Sequence, residues 1–426
     1  MTDETSPAPF PRRLRRQLEG SARRGARRLR DHPRLGRLIR PTVSVILPIY
    51  NVEDYLAACL DSIAEQDFTH YELLVVDDGS PDGSRAIAEQ YAARDHRIRI
   101  ITRENGGLGA ARNTGIRHAR GRFLTFVDSD DKLPDHALRA LVDSARASGS
   151  DIVVGSVRRF DEERDWRPDW VNRVHHERRT GITVEEFHPL LRNLYTWNKL
   201  FRRDFWTAQD LWFRERVAYE DQPIITQLYL RARSIDVIPE VVYAYRERED
   251  RSSISQQTAS LKDLTARITA FELTREALRA EASDEMYLAW LQTLFDSHLH
   301  WYLMSSGVTD PTYWQTIREA VVDFTEGAPR QLWDRTPPVR RVLLELARQD
   351  RREDLQELVW SEFERVEDSP TTPVPDGVLL QLPFLGDERL PDELFLMRPE
   401  QLKQAHAIDK VRWVRGEDGE VGCYLS

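Results

Sequence analysis

The sequence of 426 residues contains only two cysteines, Cys59 and Cys423. Two cysteines are too few for a disulfide scaffold or a cysteine-based zinc site, so a reducing compartment is expected. The sequence also lacks any apolar run of the roughly 18 to 20 residues that cross a bilayer. Its N-terminus lacks the apolar core of a secretory signal. These absences predict a cytoplasmic protein.

Lysine is absent from residues 1–40, which carry twelve arginines against four acidic residues. This local charge of +8, within a net charge of −10, leaves −18 on the rest of the chain. Within residues 1–40, apolar residues recur at helical spacing: Phe10, Leu14, Leu18, Ala22, Ala26 and Leu29. The pattern favours either a basic surface helix attracted to the anionic inner face of the cell membrane or a solvated, disordered arm. Nucleic-acid binding is not expected, because lysine and interleaved aromatic residues are missing.

Short apolar runs alternate with helical stretches from residue 42 onward. The runs predict five strands, at Val43–Ile49, Glu72–Val76, Ile98–Ile101, Phe123–Val127 and Ile152–Val154. The stretches between them predict helices at Glu53–Gln66, Gly83–Arg94, Leu108–His118 and Pro134–Ser148. Near-continuous apolar strands that alternate with helices are typical of an α/β fold, a mostly parallel sheet with helices on both faces.

Carboxylates follow two of these predicted strands. Asp77 and Asp78 follow the second strand, whereas Asp128 and Asp130 follow the fourth. Ligands of open parallel sheets bind beyond the carboxyl ends of the strands. The Asp128-x-Asp130 spacing places two hard oxygen donors on one turn, which suits Mg²⁺ or Mn²⁺ bridging a diphosphate. The alternative role for such aspartates is helix capping. It does not fit Asp77 and Asp130, because further turn residues separate each of them from the start of the next helix.

The later part of the chain changes character. Residues 160–245 are irregular and contain five tryptophans between 166 and 212, for which core packing is favoured over stacking on sugars. Apolar residues at a 3.6-residue period predict helices over 261–365. We therefore predict a basic arm at 1–40, an α/β domain at 41–258, a helical domain at 259–368, and a linker with a short β-containing tail at 369–426.

Five motifs appear in one order, and together they resemble those of the family 2 glycosyltransferases of GT-A fold. They are Pro48-Ile49-Tyr50-Asn51, Asp77-Asp78-Gly79-Ser80, Asn105-Gly106-Gly107 with Ala111-Arg112-Asn113, Asp128-Ser129-Asp130-Asp131, and Tyr219-Glu220-Asp221. The match covers about residues 42–255. More loosely, the sequence after these motifs, including the helical region, is similar to the glycosyltransferase modules of actinobacterial wall-teichoic-acid proteins. The resemblance implies a Rossmann-like GT-A sheet followed by helices.

The resemblance also implies site residues. The implied nucleotide-binding set is Pro48, Tyr50, Glu53, Asp77, Asn105, Arg112 and Asp128. Asp130 would hold Mn²⁺ or Mg²⁺, which stabilises charge on the departing UDP. Arg246 and Arg248 would contact phosphates of the donor or the acceptor.

Asp221 would be the general base and Glu220 its neighbour that positions acceptor or base. The alternative for this pair is the capped start of a helix, because Gln222-Pro223 follows. The expected reaction is metal-dependent, inverting transfer from a UDP-sugar to a hydroxyl of a cell-envelope polymer or lipid-linked acceptor, with a teichoic-acid-like polyol phosphate as the leading candidate. A capsular or exopolysaccharide acceptor and a non-catalytic polymer-binding module remain as alternatives.

Overall fold

The structure is a computed structural model that describes residues 40–248, 259–360 and 370–401, and the backbone of two strands at 411–415 and 421–425. The arm predicted for residues 1–40 lies, apart from its last residue, outside the described residues. Two compact units make up the chain. The described part of the first comprises residues 40–182, 195–216 and 232–246; the second comprises 183–194, 217–231 and the described residues from 247 onward.

Four apolar segments form the parallel part of the main sheet in the first unit. They are β1 (Val43–Ile49), β2 (Tyr71–Asp77), β3 (Ile98–Thr102) and β4 (Phe123–Phe126), in the order β3-β2-β1-β4. Every residue of β1, β2 and β4 is buried. Strands read as continuous apolar runs because both faces of such a sheet are covered.

The helices of the predicted alternation follow these strands. They are α1 (Glu53–Ala64), α2 (Ser84–Arg94), α3 (Leu108–His118) and α4 (Ala137–Ser148). One face of β1 packs in a core with residues of α1 and α4. On the other face Ile46 meets Gly115 of α3, where an added Cβ would lie 2.4 Å from the Ile46 side chain. A larger residue at 115 would therefore push α3 off the sheet.

Antiparallel and parallel strands extend the sheet beyond β4. They are β5 (Ile152–Phe160), β6 (Asp165–Trp166), β7 (Arg179–Ile182), β8 (Lys199–Arg202) and β9 (Ile235–Arg246), and the full order is β3-β2-β1-β4-β8-β5-β9-β7 with β6 on β5. The short β8 is antiparallel to both β4 and β5, whereas β9 is parallel to β5. Two short helices, α5 (Asp169–His175) and α6 (Arg203–Ala208), lie in this region.

Most of the tryptophans here are packing residues. Trp206 is buried against Phe126, Phe201 and Phe213, with ring centroids 4.9 to 5.8 Å away. Trp197 stacks on Tyr243 at 4.3 Å between centroids. Such aromatic contacts stabilise the mixed half of the sheet around the four-residue strand β8.

The second unit is mainly helical. Its helices are α7 (Asp221–Arg231), α8 (Leu261–Glu281), α9 (Asp284–Thr293), α10 (Leu299–Leu303), α11 (Pro311–Thr325), α12 (Arg330–Arg335), α13 (Pro338–Arg348) and α14 (Arg352–Trp360). An ion pair of 2.6 Å between Arg231 and Glu281 links the ends of α7 and α8. The segment α7, which the sequence analysis placed in the first domain, thus packs with the helical region.

Short strands complete the described chain. They are β10 (Thr371–Val374), β11 (Gly377–Leu380) and β12 (Leu396–Met397) in one antiparallel sheet, and β13 (Val411–Arg415) with β14 (Val421–Leu425) in an antiparallel pair. None of the helices among the described residues is long and apolar enough to cross a membrane.

A buried carboxylate at the amino end of the sheet joins β1, β2 and the loop before β4. Glu72 accepts hydrogen bonds from the Ser44 hydroxyl at 2.7 Å, from the Arg120 backbone N–H at 2.7 Å and from the Arg99 guanidinium at 2.9 Å. Burial disfavours its charge, but these donors outweigh burial and hold the pKa of Glu72 below its ordinary value of 4.5. Because the pKa of Glu72 is lower in the folded protein than in the unfolded chain, its charge stabilises the fold at pH values above the unfolded-state pKa. This contribution disappears as the pH falls through the folded-state pKa.

We therefore expect Glu72→Gln to lower the free energy of unfolding by about 1 to 3 kcal/mol at pH 7, because charge-assisted hydrogen bonds are lost. The difference from wild type should shrink as the pH falls below 4.5, where the wild-type carboxylate takes up its proton. Urea unfolding at several pH values measures this. A difference that stays constant down to pH 3 would contradict the account.

Candidate functional site

Carboxylates from two strands meet at one edge of the sheet. Asp77, the last residue of β2, pairs with Ile49 at the end of β1. On the other side of β1, the N–H of Val127 donates to the Ile46 carbonyl at 3.0 Å and leads the chain from β4 into Asp128. The Asp77 turn and the Asp128 turn therefore lie one strand apart, at the carboxyl edge where open parallel sheets bind ligands.

The turn after β2 is organised by its two aspartates. Asp77 is almost fully buried and accepts a hydrogen bond from the Ser80 N–H at 2.9 Å. Asp78 accepts from the N–H groups of Gly106 and Gly107 at 3.1 and 2.8 Å, and pairs with Arg103 at 3.3 Å. Asp78 thus holds the glycine turn that precedes α3. The sequence analysis assigned no role to Asp78, although the Gly106-Gly107 pair after the next strand was a usable signal.

A part-buried ion pair joins α3 to the turn after β4. Arg112 is 2% exposed, and its Nη2 lies 2.7 Å from Asp128 Oδ1. The guanidinium also lies over the Phe213 ring, 5.5 Å from its centroid. Burial makes such a pair dependent on exact geometry, since a lone buried charge is costly. The structure thus brings together two residues of the predicted nucleotide-binding set.

The Asp128–Asp131 turn is further fixed by β9. The buried Asp131 accepts hydrogen bonds from the Tyr243 hydroxyl at 2.7 Å and from the Arg246 N–H at 2.6 Å. Tyr243 in turn accepts from the Asp128 N–H at 3.0 Å. Burial, and then the charges of Asp130 and Asp128, raise the pKa of Asp131 well above its ordinary value. Asp131 and Tyr243 are organising residues to which the sequence analysis gave no role.

Arg246 lies against the same turn. Its Nε donates to the Asp130 carbonyl at 2.8 Å, and its guanidinium lies over the rings of Phe160 and Tyr55, 4.6 and 5.3 Å from their centroids. The structure therefore places this predicted phosphate-binding arginine beside the predicted metal-binding aspartate. Cys59 is buried beneath the turn, and burial followed by the nearby aspartates raises the pKa of its thiol. A buried neutral thiol fits a packing role.

The remaining predicted residues of the nucleotide set lie within β1, shortly after it, or after β3. Pro48 is buried within β1, Tyr50 is 49% exposed just after it, and Asn105 is exposed before α3. Glu53 begins α1, and its carboxylate accepts from the Gly83 N–H at 2.6 Å. Their predicted contacts with a base and ribose stay predictions.

Glu220, Asp221 and Arg248 belong to the second unit. Asp221 is the first residue of α7, and the buried Glu220 immediately precedes it. Tyr219, before them, has a φ of 62°. The roles predicted for Glu220, Asp221 and Arg248 also stay predictions.

The carboxylates of the Asp128–Asp131 turn are the candidate ligands for a metal ion. Over the described ranges, the structure places no group of three or more His, Cys, Asp or Glu side chains to hold a metal ion. Magnesium-type sites in nucleotide enzymes, however, use one or two carboxylates and take their other oxygens from phosphates and water. Asp130 would supply the hard oxygen such a site needs, and a cation would offset the charges of Asp130 and Asp128, which add to burial in raising the pKa of Asp131. The donor set thus fits Mg²⁺ or Mn²⁺.

Comparison with known proteins matches residues 44–207 to the family model described as Glycosyl transferase family 2. The chain is 37% identical over 211 residues to the uncharacterized glycosyltransferase EpsJ of Bacillus subtilis strain 168. This alignment covers 49% of this chain and 61% of EpsJ. It is 27% identical over 314 residues to the poly(ribitol-phosphate) β-N-acetylglucosaminyltransferase TarS of Staphylococcus aureus strain MW2, covering 72% of this chain and 53% of TarS. The chain thus spans less than two thirds of these relatives.

Among solved structures, residues 1–349 of S. aureus TarS in complex with UDP-GlcNAc superpose with a TM-score of 0.60 at 23% identity. The match covers 80% of this chain and 97% of that one. At this identity the likeness shows the fold, a GT-A sheet followed by helices. Both the predicted fold class and the resemblance stated from the motifs are confirmed.

Proposed function

We propose that this chain, whose residues 44–207 form a family 2 glycosyltransferase domain, is a metal-dependent, inverting glycosyltransferase. Its donor would be a UDP-sugar, and its acceptor a hydroxyl group of a cell-envelope polymer. A polyol phosphate of the teichoic-acid type is the leading acceptor. The enzyme would act in the cytoplasm, at the inner face of the cell membrane.

The observation that carries the proposal is the pair of acidic turns at one edge of the sheet. Asp77 and the Asp128–Asp131 turn flank the end of β1, and Arg112 and Arg246 lie against the second turn. Carboxylates and guanidinium groups gathered at the carboxyl edge of a parallel sheet are suited to a nucleoside diphosphate with its metal.

The donor would lie across this edge. Asp77 would accept a hydrogen bond from the uracil ring, while Pro48 and Tyr50 would line the base. Asp128, held by Arg112 at 2.7 Å, would receive the ribose hydroxyls. The fixed geometry of this pair supports the assignment, because a carboxylate that is already oriented loses little entropy when it binds.

Transfer would be a single displacement. The acceptor oxygen forms its bond to the anomeric carbon while the bond from that carbon to UDP breaks, so the configuration inverts. Asp221 would take the proton of the acceptor hydroxyl. A divalent cation, when bound by Asp130, would stabilise the charge that develops on UDP.

Relatives support the class of acceptor. TarS is named a poly(ribitol-phosphate) β-N-acetylglucosaminyltransferase, and GgaB of B. subtilis, 30% identical over 225 residues, is named a minor teichoic acid biosynthesis protein. A polyol-phosphate acceptor would also suit the arginines of the site, since guanidinium groups bind phosphates well.

A screen of UDP-sugars tests the proposal. Each donor is incubated with the protein, Mn²⁺ and either poly(ribitol phosphate), poly(glycerol phosphate) or a neutral polysaccharide, and UDP release is measured with and without EDTA. We expect one donor to release UDP faster when a polyol phosphate is present, and EDTA to abolish the release. If only the neutral polysaccharide stimulated UDP release, the result would contradict a polyol-phosphate acceptor and favour a capsular or exopolysaccharide acceptor.

The basic arm would bring the enzyme to the membrane. Its +8 charge over residues 1–40 would be attracted to anionic lipid at about 1 kcal/mol per arginine near the surface. Deletion of residues 1–40 should reduce co-sedimentation with phosphatidylglycerol vesicles at low salt and leave UDP release unchanged. Equal sedimentation of the two proteins would remove the membrane role.

A further inference from the structure

A buried carboxylate of the helical unit contacts the residue two positions before Asp221. The Tyr219 hydroxyl donates to Asp263 Oδ1 at 2.6 Å, and the Tyr302 hydroxyl donates to Asp263 Oδ2 at 2.8 Å. Asp263 lies in the first turn of α8 and is only 7% exposed. Both of its oxygens are therefore held by phenol groups, away from bulk water.

Arg267, one turn further along α8, completes the cluster. Its Cζ lies 3.4 Å from the centroid of the Tyr219 ring, and its Nε donates to the Tyr302 hydroxyl at 3.3 Å. The positive charge of Arg267, one turn from the buried carboxylate, favours the charged form of Asp263, and the stacked guanidinium restricts the aromatic ring. Tyr219 is thus held at both its hydroxyl group and its ring face.

The backbone conformation of Tyr219 requires stabilising contacts of this kind. Its φ of 62° lies in the left-handed region, which bulky side chains rarely adopt. Its carbonyl accepts from the Gln222 N–H at 3.3 Å, so this conformation forms the turn into α7. Strained backbone of this kind persists only where the surroundings enforce it, and it is common at functional sites.

We propose that Asp263, with Arg267 and Tyr302, is a positioning residue that fixes Tyr219 and thereby orients the Asp221 carboxylate for proton removal. The inference rests on the proposed role of Asp221 as general base. It gives the first helix of the C-terminal region a task in the reaction, since α8 supplies both Asp263 and Arg267.

Tyr229 provides a matched control for a purely structural role. It lies on α7, the helix that Asp221 begins, and is fully buried, and its hydroxyl donates to the Asn193 carbonyl at 3.0 Å. Phenylalanine at either position removes a phenol hydrogen bond, part-buried for Tyr219 and buried for Tyr229, but only Tyr219 adjoins the Glu220-Asp221 pair.

The test compares Tyr219→Phe with Tyr229→Phe in the full chain. We expect Tyr219→Phe to lower kcat by about 10- to 100-fold, the range for a misplaced catalytic group, with the KM for the UDP-sugar changed less than about twofold. Tyr229→Phe should lower the melting temperature by a similar amount and leave kcat unchanged. Equal losses of kcat in the two variants, or no loss in Tyr219→Phe, would overturn the proposal.

A double-mutant cycle separates this proposal from the base assignment. In an Asp221→Asn background, Tyr219→Phe should cause no further loss of kcat, because its effect passes through Asp221. Independent, multiplicative losses would contradict the positioning role. Wild-type turnover of Asp221→Asn alone would overturn the base assignment instead. Asp263→Asn, which keeps one acceptor oxygen, should reproduce the kcat loss of Tyr219→Phe and provides a second route if that variant is unstable.

Discussion

Asp221→Asn is expected to lower kcat by about 10² to 10⁴-fold, the contribution of a general base, while the affinity for the UDP-sugar stays within about twofold. Asparagine has nearly the same shape but cannot take up the acceptor proton. Steady-state kinetics with the donor from the UDP-sugar screen and a polyol-phosphate acceptor measures the effect, and calorimetry measures donor binding.

The control is Asp284→Asn. Asp284 is, like Asp221, the first residue of its helix, and it is exposed at the start of α9. If Asp221 only stabilised the start of α7, both variants would lose about 0.3 to 1 kcal/mol of stability and neither would lose turnover. Near-wild-type kcat in Asp221→Asn would therefore favour the helix-start alternative and contradict the base.

Asp130→Ala is expected to abolish the metal-dependent part of UDP binding. Asp130 would hold the proposed cation against the diphosphate, so removal of the carboxylate should leave UDP bound by protein groups alone. Titration of UDP in Mn²⁺ and in EDTA should give clearly different affinities for wild type and the same weak affinity for the variant.

Asp135→Ala is the matched control, because Asp135 is an exposed aspartate five residues further on. It should keep the difference between Mn²⁺ and EDTA. If Asp130→Ala also keeps the wild-type affinity under both conditions, Asp130 is not the metal ligand.

The parallel half of the fold could be predicted closely from the sequence. The predicted bounds of β1 and α3 are those of the structure, Val43–Ile49 and Leu108–His118. Continuous apolar runs between turns are a strong local signal, and Gly107 with its φ of 86° marks the start of α3. By contrast, β8 has only four residues and contains the buried Lys199, which bonds to Asn198. Its place between β4 and β5 depends on tertiary contacts that no local pattern shows.

The same distinction applies to the site. Aspartates at strand ends were visible in the sequence, because parallel strands bring their carboxyl ends to one edge. The organising contacts were not visible in the sequence. Asp78 accepts a hydrogen bond from Gly106, 28 residues later in the chain, and Asp131 accepts one from Tyr243, 112 residues later. Asp263 bonds to Tyr219 over 44 residues, and nothing in the period of α8 distinguishes it from a solvated aspartate. Long-range hydrogen bonds of buried carboxylates require the structure.

The proposed reaction joins a sugar from a UDP-sugar to a polymer hydroxyl with inversion. Nuclear magnetic resonance of the polymer after incubation with donor, Mn²⁺ and protein tests it most directly. We expect one UDP released per new glycosidic bond, a β-linked sugar from an α-configured donor, and at least about 100-fold less product in the same time with Asp221→Asn. A retained α-linkage, or polymer that binds but gains no sugar with any UDP-sugar, would contradict it.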